Sequence, residues 1–391
     1  MSFDFNELID RKNTNSIKYD FAAERGKPTD VIPLWVADMD FKTVPQVTEA
    51  LVEASRHGIF GYSEVKDEYF NVLKQWFSTH YRWNIERKWL VKTPGVVYAI
   101  AMAVRAYTKK GDSILIQRPV YYPFSETILS NGRKLINSPL VYENGTYHID
   151  FEDFEQKIAE NQVRLFILCN PHNPVGKVWN RDELERLGDI CLKHNVLVVS
   201  DEIHADFIYP GKEHLPFANL REEYKAITIT CTAPSKTFNL AGLQVSNVLI
   251  PNPVLKAAFK SEITKSGYSQ LNNMGLIACK AAYEYGEEWL IGLKDYLYEN
   301  LQFIKEFVKT NLPQLTLVEP EGTYLLWIDF TGLGLSETDL EKLIIDKAKL
   351  WLDAGTMFGP EGLGFQRFNI ACTRKTLEQA FHQLKAAIDS I

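Results

Sequence analysis

Four consecutive apolar residues, Val196-Leu197-Val198-Val199, run into Ser200 and then Asp201. A strand with no polar face belongs inside a parallel sheet that is covered on both sides. An acid at the end of such a strand needs a partner, because an unpaired charge is costly to bury. Comparable strands are predicted at residues 90–93, 113–116, 164–169, 226–229 and 247–250. Helical spacing falls between them at residues 96–107 and 181–194. This is a βαβ series, hence an α/β fold: a large domain with a mainly parallel sheet flanked by helices. In open sheets of this kind the ligand site lies beyond the carboxyl ends of the strands. Gly95, Tyr121, Asn173, Asp201 and Lys236 all stand at such ends, so they are expected to converge.

The remaining chain divides around that core. Residues 1–45 read as an N-terminal arm belonging in part to a smaller domain, 46–285 as the large domain, and 286–391 as a small α+β domain. Helices dominate residues 253–310. After them come strands at 324–330 and 365–371 and helices near 338–350 and 377–391. Helices are also expected at 45–56 and 66–81. Between them lies a loop, Ile59-Phe60-Gly61-Tyr62. The segment Ile32-Pro33-Leu34-Trp35-Val36-Ala37-Asp38-Met39-Asp40-Phe41 is either a strand that packs the arm on the core or one wall of a substrate pocket.

Charge and cysteine usage narrow the function. The net charge is −7 with no basic block, which argues against nucleic acid or an anionic membrane surface as partner. The five cysteines are scattered and form no Cys-x-x-Cys, which disfavours a zinc site or a disulfide framework. The start carries no secretory pattern and no apolar run has membrane-span length, so the expected setting is cytoplasmic.

The chemistry is carried by Thr230-Cys231-Thr232-Ala233-Pro234-Ser235-Lys236, which follows a buried strand. Lys236 is either an ordinary loop lysine or an amine that forms a Schiff base. A pyridoxal 5′-phosphate enzyme needs that amine, and it needs a carboxylate to keep the pyridine nitrogen protonated. Asp201 fits the second role. Tyr121 offers a ring face. An anion cradle could form from the N–H groups of Val96 and Val97 after Gly95, with Thr232 and Ser235. Asn173 could donate to the ring oxygen. His172, Cys169 and Cys231 read as packing groups.

The order Gly95-Val96-Val97, Pro119-Val120-Tyr121, Asn170-Pro171-His172-Asn173-Pro174, Asp201-Glu202-Ile203-His204 and Ser235-Lys236 resembles the fold-type I pyridoxal phosphate enzymes of the aspartate aminotransferase superfamily. More narrowly, three stretches resemble the MalY/PatB group of cystathionine β-lyases, or C–S lyases: residues 35–41, 201–204 and 233–244. Two positions depart from the broad aminotransferase pattern and match the lyase group. His204 stands where many aminotransferases have a tyrosine, and Gln244 where they commonly have a phosphate-binding arginine. The resemblance implies β-elimination at C–S bonds of sulfur amino acids, with an aminotransferase as the alternative. It implies further that Arg367 clamps the substrate carboxylate, that Ala37 and Asn173 face the substrate, and that His204 lies against the cofactor. It also implies a homodimer with shared sites, in which Tyr62 reaches the partner's phosphate.

Overall fold

The computed structural model describes residues 3–391. Its central sheet contains seven strands: β1 (Leu90–Thr93), β2 (Ser113–Ile116), β3 (Lys134–Asn137), β4 (Leu165–Cys169), β5 (Leu197–Asp201), β6 (Thr228–Thr232) and β7 (Ser246–Leu249). In space they run β1-β7-β6-β5-β4-β2-β3. From β6 to β3 every pairing is parallel, while β7 is antiparallel to both its neighbours.

Strand alternation sends successive side chains to opposite faces. Leu115, Phe166, Leu168 and Val198 enter a core with Phe154, Ile158, Leu184 and Leu187. Ile114, Ile116, Leu165, Ile167, Val199 and Ile229 enter another with Ala99, Ile100 and Ala103. Both faces are therefore covered, which is why the strands read as continuous apolar runs. The helices that flank or abut this sheet include α1 (Asp67–Tyr81), α2 (Val96–Tyr107) and α3 (Arg181–Lys193). A capping box starts α3: Asn180 accepts from the Glu183 N–H, and Glu183 accepts from the Asn180 N–H.

One close approach on α3 yields a stability test. A Cβ on Gly188 would lie 2.4–2.7 Å from the ring of Tyr224. That ring is buried and stacked on Phe217 at 5.2 Å. Gly188→Ala is expected to destabilise the protein by about 1–3 kcal/mol through overpacking, despite alanine's better helix propensity. Urea unfolding would check it, and an unchanged midpoint would show that Tyr224 can move aside.

A second, antiparallel sheet contains β8 (Thr316–Leu317), β9 (Leu325–Asp329), β10 (Asp353–Ala354) and β11 (Phe365–Asn369), in the order β8-β9-β11-β10. Helices α4 (Glu287–Asn311) and α5 (Arg374–Ile388) pack there, with Leu301, Ile304, Phe368, Phe381 and Leu384 in one core. No helix among the described residues is long and apolar enough to cross a membrane.

Several local expectations change. The helix expected near 338–350 ends early. It is α-helical over Glu337–Lys342, continues as a π turn through Lys347, and stops before Lys349, whose φ is +56°. The arm is a strand only at Ile32–Pro33, paired parallel with Leu350–Trp351. From Trp35 onward its carbonyls bond to side chains instead. Between β2 and β4 lie a helix (Pro123–Ser130), β3, a hairpin (Val141–Glu143 with Thr146–His148) and a helix (Phe151–Asn161). None of these was assigned from sequence. The hairpin turn is Asn144-Gly145, both at positive φ, a strong hairpin signal.

Candidate active site

The register of the large sheet aligns Cys169, Asp201 and Cys231 across β4, β5 and β6. The three strands thus end at one level, and the loops that follow leave from the same edge. They enclose a cavity of about 150 Å³ lined by Gly95, Tyr121, Asn173, Asp201, His204 and Lys236, together with Val96, Val97, Ser235 and Ala37. The five residues expected to converge do converge.

Asp201 is buried, and its side chain accepts one hydrogen bond, from the Ile203 N–H at 3.1 Å. Burial pushes its carboxyl up to about 7, against the Ile203 N–H and the Lys236 charge, which pull it down. Among the described residues no side chain donates to it. A protonated ring nitrogen is the kind of donor it lacks. Lys236 faces the same cavity, and its Nζ donates to the Ala37 carbonyl at 2.7 Å. Burial, then the nearby Arg367 guanidinium, bring its amine down to about 8, while Asp38 and Asp201 oppose the shift. His204 is driven well below the usual histidine range by burial and by the Lys236 and Arg367 charges, so it is neutral. Its Nδ1 has no hydrogen-bond partner.

Gly95 opens α2, with no side chain capping that helix, so the first N–H groups are free to bind an anion. Ser235 lines the cavity beside them. Thr232 does not: its hydroxyl donates across the sheet to the Asn247 carbonyl at 2.9 Å. Tyr62 is not among the lining residues either and is 97% exposed. Gln244, noted as a departure, does line the cavity, as does Ala241.

Arg367 is buried on β11. Its guanidinium donates to Asn173 Oδ1 at 3.0 Å, to the Trp35 carbonyl at 2.9 Å, and to the Asp353 carboxylate opposite it on β10. The bond to Asn173 uses the amide oxygen, so the Asn173 amide nitrogen remains available as a donor. Sequence reading missed Asp353. It also missed Asn369, which donates to the Val36 and Asp38 carbonyls at 2.6 Å each, and Asn239, which donates to those of Met39 and Phe41 at 3.0 Å. Tyr324 shares the Ala37 carbonyl with Lys236, at 3.0 Å. Five successive carbonyls, 35 to 39, are therefore held by side chains of the site region. The signal for Asn369 was its place two residues after Arg367, on the same strand face. His172 is structural as expected, bonded to the Pro119 carbonyl at 2.9 Å, and all five cysteines are free and buried.

Residues 29–384 match the family model for class I and II aminotransferases. The chain belongs to that family. Among its relatives, the cystathionine β-lyase PatB of Bacillus subtilis is 42% identical over 99% of this chain and all of that protein. Two solved members of similar fold are cystalysin of Treponema denticola, which contains a pyridoxal 5′-phosphate cofactor, and a pyridoxal phosphate-bound C–S lyase of Staphylococcus hominis. Cystalysin superposes with a TM-score of 0.96 at 38% identity and covers 100% of both chains. The C–S lyase gives 0.93 at 34%, covering 99% of this chain and 98% of its own. The mostly parallel sheet with helices on both faces is thus the fold-type I architecture of the class I and II aminotransferase family.

Proposed function

We propose that this protein is a pyridoxal phosphate-dependent β-lyase that cleaves C–S bonds of sulfur amino acids. The observation that carries the reading is the pairing, across one cavity, of a buried Asp201 with no side-chain donor and the Lys236 amine. The relatives that match the chain from end to end include a cystathionine β-lyase and a C–S lyase. The residues present fit the cofactor. Asp201 would hold a proton on the ring nitrogen, Tyr121 would cover the ring, and Asn173 would donate to the ring oxygen. The N–H groups of Val96 and Val97, with Ser235, would hold the phosphate. When bound, pyridoxal phosphate supplies an electron sink that weakens the Cα–H bond of an amino acid.

The chain's own groups then do the rest. The Lys236 amine, neutral above about pH 8, takes the Cα proton onto Nζ. The Ala37 carbonyl accepts a hydrogen bond from Nζ and so holds the proton-bearing group in place. The Arg367 guanidinium would bind the substrate carboxylate by exchanging part of its present bonding to Asn173 and Trp35. Departure of the β-thiolate, followed by hydrolysis, gives thiol, pyruvate and ammonia. Cystathionine yields homocysteine, and cysteine yields hydrogen sulfide. The same residues in a homodimer would place Tyr62 in the neighbouring site. Support comes from the Ile59 to Tyr62 loop, which exposes Ile59, Phe60 and Tyr62 by 70%, 64% and 97%. The division at 45/46 and 285/286 and a cytoplasmic setting belong to the same proposal.

The test is an assay of purified protein on cystathionine that follows pyruvate and thiol together. Equal rates support the reading. Amino transfer to a 2-oxo acid without pyruvate would replace it with an aminotransferase using the same residues.

Arg367 gives a second test. Arg367→Ala is expected to raise KM for amino-acid substrates roughly ten- to hundredfold, the worth of a lost charge-assisted hydrogen bond, with a smaller fall in kcat. The change also strands the buried Asp353 carboxylate, at a cost of about 3–5 kcal/mol. Arg367→Ala with Asp353→Asn should recover much of the stability while KM stays high. A double variant with wild-type KM would remove Arg367 from the carboxylate role.

A further inference from the structure

Asp206 lies five residues beyond Asp201, buried, and outside the cavity lining. Its Oδ1 accepts from Trp76 Nε1 at 3.1 Å and from the Tyr81 hydroxyl at 2.5 Å. Its Oδ2 accepts from the Thr237 hydroxyl at 2.5 Å. Among the described residues no cation pairs with this carboxylate, so three neutral donors carry its charge. Short bonds to an ionised acceptor are among the stronger and more directional ones. Burial and Asp206 itself keep the Tyr81 hydroxyl well above its ordinary range, so it stays a donor.

The three donors come from two places. Trp76 and Tyr81 stand on α1, and the Trp76 ring packs edge-on against Phe238 at 5.5 Å and Tyr283 at 5.3 Å. Thr237 is the residue after Lys236, in the single turn Pro234–Thr237. Asp206 therefore ties that turn to a long, well-packed helix. A lysine amine sits at the end of four flexible methylenes, so its aim depends on how firmly its backbone is fixed. Lys236 is fixed at both ends: the amine on the Ala37 carbonyl, the backbone through Thr237 on Asp206.

We infer that Asp206 is a positioning residue for Lys236, acting through the Thr237 hydroxyl. This rests on the reading of Lys236 as the reactive amine. It assigns a function to the last acid of the Asp201-Glu202-Ile203-His204-Ala205-Asp206 stretch, which the mechanism itself does not use.

The experiment compares Thr237→Val, Thr237→Ser, Asp206→Asn and the double variant Asp206→Asn with Thr237→Val, all as cofactor-loaded protein. Three properties are read: the pH titration of the bound cofactor's visible absorbance, kcat and KM on cystathionine, and Tm. Thr237→Val should displace the absorbance titration. It should lower kcat on the order of tenfold or more, the scale expected for a misplaced reacting group, with KM within about threefold of wild type. Thr237→Ser should restore both, since it keeps the hydroxyl. The double variant should lose no more kcat than the worse single one, because both changes break one link. If Asp206→Asn fails to fold, the valine and serine pair still decides. Thr237→Val with a wild-type titration and kcat, or with a change in Tm alone, overturns the inference. If the wild-type protein makes no pyruvate, the proposed reaction fails, and the absorbance titration alone then judges Asp206.

Discussion

Lys236→Ala should abolish turnover, with kcat reduced roughly 10³-fold or more and the visible absorbance of the lysine-bound cofactor lost. Both effects come from one atom. Nζ is the amine placed against Asp201 across the cavity, and among the described residues its hydrogen-bond partner is the Ala37 carbonyl. The variant should still fold. Removing the amine takes a burial-strained ammonium out of the protein and frees a carbonyl that Tyr324 continues to satisfy at 3.0 Å. An unchanged Tm beside lost activity and lost absorbance is the expected pattern. Retained activity would remove Lys236 from the chemistry and take the Asp206 inference with it.

Asp201→Asn should produce an inversion between two forms of the protein. In the cofactor-free chain the folded carboxyl sits at about 7, above its ordinary 3.8, because burial disfavours the charge. The folded state then binds more protons than the unfolded state between those pH values. Stability from this group is complete below pH 4 and is lost as pH rises to 7. The neutral asparagine escapes that loss. Cofactor-free Asp201→Asn should therefore melt higher than wild type at pH 8, and the two should approach each other near pH 4. Loading reverses the ranking, because only the carboxylate gains a charged ring-nitrogen partner. Turnover of the loaded variant should fall on the order of 10²- to 10³-fold, the scale for removing a preorganised electrostatic partner. Melting both proteins with and without cofactor at the two pH values checks this. Identical melting of the cofactor-free pair at pH 8 would show that Asp201 is not held against its charge.

The sheet and its ligand edge were legible because a strand buried on both faces leaves an unmistakable run of apolar residues. The acid or amide that ends such a run marks the edge. Asp201, Asn173 and Lys236 were all readable on that ground. Thr232 is ambiguous on that ground, because a hydroxyl at a strand end serves equally well as a cross-strand donor, as it does here to the Asn247 carbonyl. The choice between packing strand and pocket wall for residues 32–41 stayed open because alternation alone cannot show that a carbonyl's partner is a side chain hundreds of residues away. Asp353 was invisible for the same reason: its pairing with Arg367 is fixed by the small sheet's register. The stop at Lys349 depended on one left-handed backbone residue, which lysine does not advertise.

The carbonyl contacts of residues 35–39 also say when this site can exist during synthesis. Ala37 waits for Lys236 across 199 positions, and Trp35 waits for Arg367 across 332. A ribosome that has made the whole seven-stranded sheet has made the residues that line the cavity but not yet Arg367. β11 and its arginine are made well after the last strand of that sheet. Until β11 is made, the Trp35, Val36 and Asp38 carbonyls lack their donors, while those of Ala37 and Met39 already have Lys236 and Asn239. Truncation near the carboxyl end should thus empty the site at its amino-terminal wall.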